Sequence, residues 1–302
     1  MPELPDISIY LERLRPRILG QVLERIALAK PFVLRSVEPP LAEAQGRRVV
    51  ALERLGKRIV IGLERDLFLV LHLMIAGRLR WIDAAPSSGR GKPAKVPRTL
   101  ILATFDFPTG TLVFTEAGTT RRAALHLVRG REALRAFDRG GLDVRQIGLA
   151  AFTERLQSES HTLRRSLTDS RLFDGIGNAY SDEILHRARL SPLAISTRLT
   201  PEAIERLYVA AAATLADWTD RLRAEVEEGF PEKVTAFREG MAVHGRYGKP
   251  CPVCGTPVQR IRYATNETNY CARCQTGGRL LADRALSRLL RHDWPKSIDE
   301  VD

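Results

Sequence analysis

Cys251-Pro252-Val253-Cys254, then sixteen residues, then Cys271-Ala272-Arg273-Cys274, is the stretch from which the organisation of this 302-residue chain is read. Two Cys-x2-Cys knuckles at this separation, the first followed by Gly255, supply four thiolates to a tetrahedral zinc and leave no coordination position open. Such a site is structural, a staple for a finger with little core of its own. The chain has no other cysteine, which argues against scattered disulfides. Between the pairs, Gln259-Arg260-Ile261-Arg262-Tyr263 is basic and aromatic, and suits a β-hairpin lying on a phosphate backbone. Zinc ribbons occur in many unrelated proteins, so the chemistry must be sought elsewhere.

Upstream, Asp174-Gly175-Ile176-Gly177-Asn178-Ala179-Tyr180-Ser181-Asp182-Glu183 reads as a tight glycine turn entering a helix. Asn178 is the expected cap of a helix over 179–187, with Asp182 and Glu183 placed to suit its dipole. Exposed amides and an Asn side chain in such a turn can grip a phosphate. Helical periodicity covers about 151–228, preceded by a linker around 129–150. From about 20 to 128 the texture is short β-rich runs: Arg48–Leu52, Arg58–Leu63, Leu67–Leu73, Leu100–Phe105 and Thr111–Thr115, with a hairpin connection over 106–110. Their short spacing predicts an antiparallel sandwich or barrel. Residues 84–97 read as a low-complexity surface loop. Residues 5–16 place Ile7, Tyr10, Leu11 and Leu14 on one helical face, with Pro16 as the stop.

Lys+Arg number 47 against 36 Asp+Glu, a net charge of +11. The imbalance points to a polyanionic partner, nucleic acid first and an anionic membrane second. No apolar run approaches the roughly 18 residues of a membrane span, and no basic-then-apolar leader opens the chain. A cytoplasmic, nucleoid-associated protein is expected.

The opening Met1-Pro2-Glu3-Leu4-Pro5-Asp6 reads either as an ordinary helix N-terminus, with Pro5 in the first turn, or as a site of amine chemistry. Trimming Met1 leaves a secondary amine on Pro2 beside the Glu3 carboxylate. An α-amino group titrates near 7.7–8.0, so a useful fraction is neutral and nucleophilic at physiological pH. Attack of a secondary amine on a sugar aldehyde equivalent gives a cationic imine, an electron sink for breaking nearby bonds. Lys57, in the turn Leu55-Gly56-Lys57-Arg58, suits a point-charge phosphate ligand in a chain dominated by arginine.

These features occur in a fixed order, together with His72-Leu73…Gly77, Arg121-Arg122, Arg171-Leu172 before the glycine turn, and Val243-His244-Gly245-Arg246…Gly248-Lys249-Pro250. From residue 1 to about 278 the chain resembles the formamidopyrimidine-DNA glycosylase/endonuclease VIII family. The resemblance implies a multidomain α+β protein: an N-terminal antiparallel β-sandwich, a helix–two-turn–helix domain and a four-cysteine zinc finger, with DNA held between them. It implies Pro2 as the Schiff-base nucleophile, Glu3 as the acid/base and Asp6 as a supporting carboxylate where the family usually has Glu. Lys57, Asn178 and Arg246 would hold phosphates around an extruded nucleotide, with Arg121, Arg122, Arg260 and Arg262 as further DNA contacts. One structural zinc would sit on Cys251, Cys254, Cys271 and Cys274.

Departures from the family pattern bear on specificity. The wedge that fills the gap left by a flipped nucleotide would fall to Met74 and Ile75, and Ala123 stands where the family has Phe. The finger arginine is replaced at Thr265-Asn266, with Arg260 or Arg262 as substitutes. His161 stands roughly where many members have a lysine. Residues 279–302 extend past the usual end, with Leu281, Ala282, Ala285, Leu286, Leu289 and Leu290 as the apolar stripe of a helix docked on the body. The expected divisions are 1–135 (catalytic sandwich with its N-terminal helix), 136–240 (helix–two-turn–helix), 241–278 (finger) and 279–302 (helical extension). The expected protein is a monomeric bifunctional glycosylase/AP lyase acting on damaged double- or single-stranded DNA. The alternative is a family member that binds abasic or distorted DNA with little base removal.

Overall fold

The computed structural model describes residues 1–84, 96–118, 120–232, 234–263, 266–282 and 295–300. Most of the 84–97 loop and the stripe positions Ala285, Leu286, Leu289 and Leu290 lie outside them. The chain forms two compact units: Met1–Arg139 with Thr219–Thr235, and Gly140–Trp218 with Ala236–Asp302.

In the first unit, helix α1 (Leu4–Ile18) begins with Pro5 in its first turn and a capping box between Glu3 and Asp6. It runs two residues past Pro16, the expected stop. Proline lacks an N–H but accepts helical backbone angles, and the fully buried Ile18 anchors the last turn. Nine strands follow: β1 (Val22–Leu23), β2 (Arg25–Leu28), β3 (Arg47–Leu55), β4 (Arg58–Leu63), β5 (Leu67–His72), β6 (Gly77–Asp83), β7 (Ile101–Phe107), β8 (Gly110–Glu116) and β9 (Ala124–Arg129). They build two antiparallel sheets, β1-β3-β4-β5-β9 and β2-β7-β8-β6.

One core joins the sheets and α1. Ile59, Ile61, Leu69 and Leu71 of the first sheet meet Leu79, Phe105, Leu112 and Phe114 of the second, with Ile7, Tyr10 and Leu14 from the helix. The alternate residues Val60, Phe68 and Val70 form a second cluster with Leu134 on the outer face. Leu134 belongs to α2 (Arg131–Arg135), so the expected linker over 129–150 begins with a short helix. Burial on both faces is why β4 and β5 read as continuous apolar runs and not as alternating ones.

The second unit holds α3 (Leu149–Gln157), α4 (Leu163–Thr168), α5 (Asn178–Arg187) and the body of α6 (Pro201–Val226). Its finger is the hairpin β10 (Gln259–Arg262) and β11 (Glu267–Tyr270), followed by α7 (Ala272–Thr276). Leu281 packs with Ile261, Tyr270, Ala272 and Ile298 in the finger's small core. The start of the C-terminal extension is therefore docked, as expected, but as extended chain. Among the described residues, no helix is long and apolar enough to cross a membrane.

Candidate active site

The N-terminus of the first unit is buried. Pro2 is buried, Glu3 is 2% exposed and Asp6 is 4% exposed. The Asp6 carboxylate accepts the Glu3 backbone N–H at 2.8 Å, and the Glu3 side chain accepts from the Asp6 backbone in return. This reciprocal pair fixes the geometry of residues 3–6 and leaves the amine among charged groups. At the Met1 amine, burial lowers the pKa below its usual value of 8.0. Glu3 raises it, Arg78 lowers it, Asp6 raises it and Lys57 lowers it, in decreasing order. The fold thus places Glu3, Arg78, Asp6 and Lys57 around the Met1 amine.

Lys57 lies in the two-residue turn between β3 and β4, made possible by Gly56 at φ +64°. Next to it His72, at the end of β5, pairs across the sheet with Arg58. Burial, then Arg58, Lys57 and His126, depress the His72 pKa to about 4. The imidazole is therefore neutral at physiological pH in a corner of positive charge, which suits an anionic ligand.

Met74 and Ile75 occupy the tip between β5 and β6. Met74 takes φ +52°, a costly conformation for a non-glycine residue. Ile75 is 64% exposed. The tip is braced: Gly77 N–H donates to Leu73 O at 2.8 Å, and a Cβ on Gly77 would stand 2.2 Å from that oxygen. Arg78 Nη1 donates to Ile75 O at 3.0 Å and to Gly77 O at 2.7 Å. Arg78 thus links the Met74–Ile75 tip to the charges around the amine. No local pattern marks it, since β6 carries a second arginine, Arg80, two positions on.

Ala123 does not line a gap. It is fully buried in the sandwich core, and its N–H and that of Arg122 donate to Glu116 Oε1 at 3.1 and 2.9 Å. A phenylalanine there would overpack the core before it could reach a duplex. The Arg121 and Arg122 side chains are exposed, with Arg121 over the Phe32 ring at 5.7 Å.

In the second unit Asn178 is the first residue of α5 and Gly177 is its cap, in place of the expected Asn178 cap. The side chain is consequently available for other bonds, and Asn178 Oδ1 accepts from Arg164 Nη2 at 3.0 Å. Asp182 and Glu183, read as dipole partners, are buried joints. Glu183 accepts the backbone N–H groups of Ala242, Val243 and His244 at 2.7–2.9 Å. Asp182 Oδ2 accepts from Asn269 N–H at 3.1 Å and bonds His244 Nδ1 at 2.8 Å. Burial pushes the Asp182 pKa up to about 6, against the pull of His244. These bonds weld α5 to the finger, so Asp182 and Glu183 are structural joints of the second unit.

Arg260 stacks on Tyr247 at 4.0 Å and pairs with Glu267 at 3.6 Å. Arg262 is exposed, and Arg246 donates to Pro250 O at 2.9 Å. His161 is held by Glu159 at 2.7 Å.

The four cysteine Sγ atoms lie within 4.8 Å of one another. Cys251–Cys274 and Cys254–Cys271 are 3.9 and 3.4 Å apart. Zn–S bonds of about 2.3 Å in a tetrahedron put sulfurs about 3.8 Å apart, so the set fits one zinc. Burial pushes the Cys271 thiol up to about 11, a cost that a divalent cation reverses by binding the thiolate.

Three family descriptions match in order: "Formamidopyrimidine-DNA glycosylase N-terminal domain" over residues 1–123, "Formamidopyrimidine-DNA glycosylase H2TH domain" over 143–221, and "Zinc finger found in FPG and IleRS" over 248–277. The formamidopyrimidine-DNA glycosylase of Thermus thermophilus is 35% identical over 288 residues, covering 92% of this chain and all of that protein. The chain belongs to the formamidopyrimidine-DNA glycosylase family. An uncharacterized formamidopyrimidine-DNA glycosylase-like protein of Mycobacterium tuberculosis is 41% identical over 157 residues, 52% of this chain and 96% of that one. The crystal structure of the MutM (Fpg) protein of Thermus thermophilus superposes with a TM-score of 0.71 at 32% identity, covering 91% of this chain and 98% of that one. Family membership agrees with the two sheets, the helical segment and the single structural zinc site.

Proposed function

We propose that this DNA glycosylase of base-excision repair removes damaged bases through Pro2 as nucleophile, with Met1 removed, and then cuts the strand as an AP lyase. The observation that carries the reading is the buried N-terminus with Glu3, Asp6, Lys57 and Arg78 as its electrostatic neighbours. Burial favours the neutral amine, the form that attacks. Attack on C1′ of the deoxyribose expels the base with the bonding electrons and leaves Pro2 bonded to C1′, and protonation of O4′ then breaks the C1′–O4′ bond to give the iminium on Pro2. Glu3 is the proton shuttle that opens the sugar, and Asp6 holds it through the capping box. Loss of the C2′ proton then drives out the 3′ phosphate, and a further elimination the 5′ phosphate. Water releases the sugar fragment and restores the amine.

Lys57 and Asn178 are the phosphate ligands in this reading, and Ile75 is the wedge, with Met74 setting its turn. Damaged DNA is the partner, which the charge of +11 favours. The protein acts as a monomer in the cytoplasm, and the four-part division into 1–135, 136–240, 241–278 and 279–302 describes its working segments. A tag left ahead of Pro2 acylates the nucleophile. It should abolish base release and strand cleavage while the abasic-duplex Kd stays within about threefold of the untagged protein. Undiminished activity with an intact tag would remove Pro2 from the mechanism.

A further inference from the structure

The Arg164 guanidinium stands at the junction of three segments. Nη2 donates to Asn178 Oδ1 at 3.0 Å and to Glu267 O at 3.3 Å, and lies 3.5 Å from Asn266 Oδ1. The guanidinium carbon lies 5.0 Å from the centre of the Tyr263 ring. Tyr263 and Asn266 flank the β10–β11 turn, and a backbone bond from Tyr263 N–H to Asn266 O closes it at 2.8 Å. Arg164 Nε is buried without a hydrogen-bond partner among the described residues. A surface arginine on a solvated helix face has none of these features.

The chemistry of the pair is asymmetric. An arginine offers only donors, whereas an Asn amide offers an oxygen acceptor at one end and two donors at the other. A donor-only neighbour therefore fixes which way the amide points: Oδ1 toward Arg164 and the Nδ2 hydrogens away from it. Because Gly177 caps α5, the Asn178 side chain is not spent on the helix start. We infer that Arg164 is the positioning residue of the phosphate clamp, turning Asn178 so that its NH2 group faces a DNA phosphate and tying that orientation to the finger turn through Tyr263 and Asn266. The inference rests on the reading of Asn178 as a phosphate ligand. It also brings a cation to the β10–β11 turn, beside the exposed Arg262.

The experiment is a double-mutant cycle on the full-length zinc-loaded protein. Fluorescence anisotropy measures the Kd for a duplex containing a tetrahydrofuran abasic analogue, over a range of salt concentrations. Arg164→Met keeps an unbranched stem against Tyr263 and removes every donor. Arg164→Met and Asn178→Ala should each weaken binding about tenfold, the scale of one hydrogen bond to a charged group. If Arg164 acts through Asn178, the double variant should be no weaker than the worse single variant. Arg164→Lys, which restores a donor, should recover part of the loss. Zinc content and Tm, measured alongside, should be unchanged. Multiplying effects, about 100-fold in the double variant, would overturn the inference and give Arg164 an independent role. A loss that follows a fall in zinc content or Tm would also overturn it, leaving a role in folding only. An Asn178→Ala variant with wild-type Kd and salt slope would instead remove the underlying reading of Asn178.

Discussion

Ile75→Ala tests the wedge most sharply. The residue is 64% exposed at a tip braced by Gly77 and Arg78, so its side chain adds little to folding while its backbone carbonyl is held. The substitution removes three carbons. If they enter the gap left by a flipped nucleotide, at about 0.8 kcal/mol per buried carbon, about 2.4 kcal/mol of gap filling is lost. That is about 50-fold in affinity or in kcat/KM on a fully paired duplex. A single strand has no stack to fill, so activity there should change by less than about threefold. Stability should fall by no more than the usual surface substitution allows, about 0.5 kcal/mol. The assay is single-turnover excision of one oxidised base in duplex and in single-stranded DNA, for wild type and Ile75→Ala. Equal losses on both substrates would refute the wedge and make Ile75 a part of substrate binding in general. No loss on either would show that another residue fills the gap.

Glu3→Gln should keep abasic-duplex binding while base release falls about 10²-fold or more, the usual scale for a lost acid/base group; a wild-type single-turnover rate would contradict its role. His72 gives a pH signature. Its folded pKa of about 4 lies below the unfolded value of 6.5, so the unfolded chain takes up the proton first and stability falls as pH drops from about 6.5 to 4. His72→Gln should flatten that part of a urea-denaturation profile, by an amount on the order of 3 kcal/mol at its limit; an unaltered profile would mean that the ring is charged in the fold. Cys254→Ser, or zinc removal by a strong chelator, should unfold the finger and lower DNA affinity while the sandwich, with its own core, keeps its β-sheet circular dichroism; affinity that survives chelation would show that the finger does not contribute to binding.

The parts of this molecule that sequence alone made legible are those governed by short-range rules. Ligand spacing announced the zinc site, and short β-rich runs bounded by turn residues located β3, β4, β5, β7 and β8. The ordered motifs pointed to Pro2, Glu3 and Lys57. What was not legible depends on partners distant in the chain. Nothing near Arg78 shows that it braces residue 75 and approaches the N-terminus. Nothing near Arg164 shows that residues 178 and 266 are its acceptors, 14 and 102 positions away. Asp182 and Glu183 have the charge expected of a helix start, yet they are buried because the 242–244 segment and β11 bring backbone donors to them. Ala123 was read by its place in a motif, while its burial is set by the whole sandwich. Strands β6 and β9 are harder to read because their arginines, histidine and exposed ends interrupt the apolar runs.

The central claim is a covalent one, and borohydride trapping on abasic DNA reads it directly. Sodium borohydride should reduce the iminium to a stable protein–DNA adduct, and peptide mapping should place that adduct on the nitrogen of Pro2 in chains that have lost Met1. An adduct on Lys57 or any other lysine, or no adduct from protein that binds the same abasic duplex tightly, would contradict the account and leave a protein that recognises damage without cutting it.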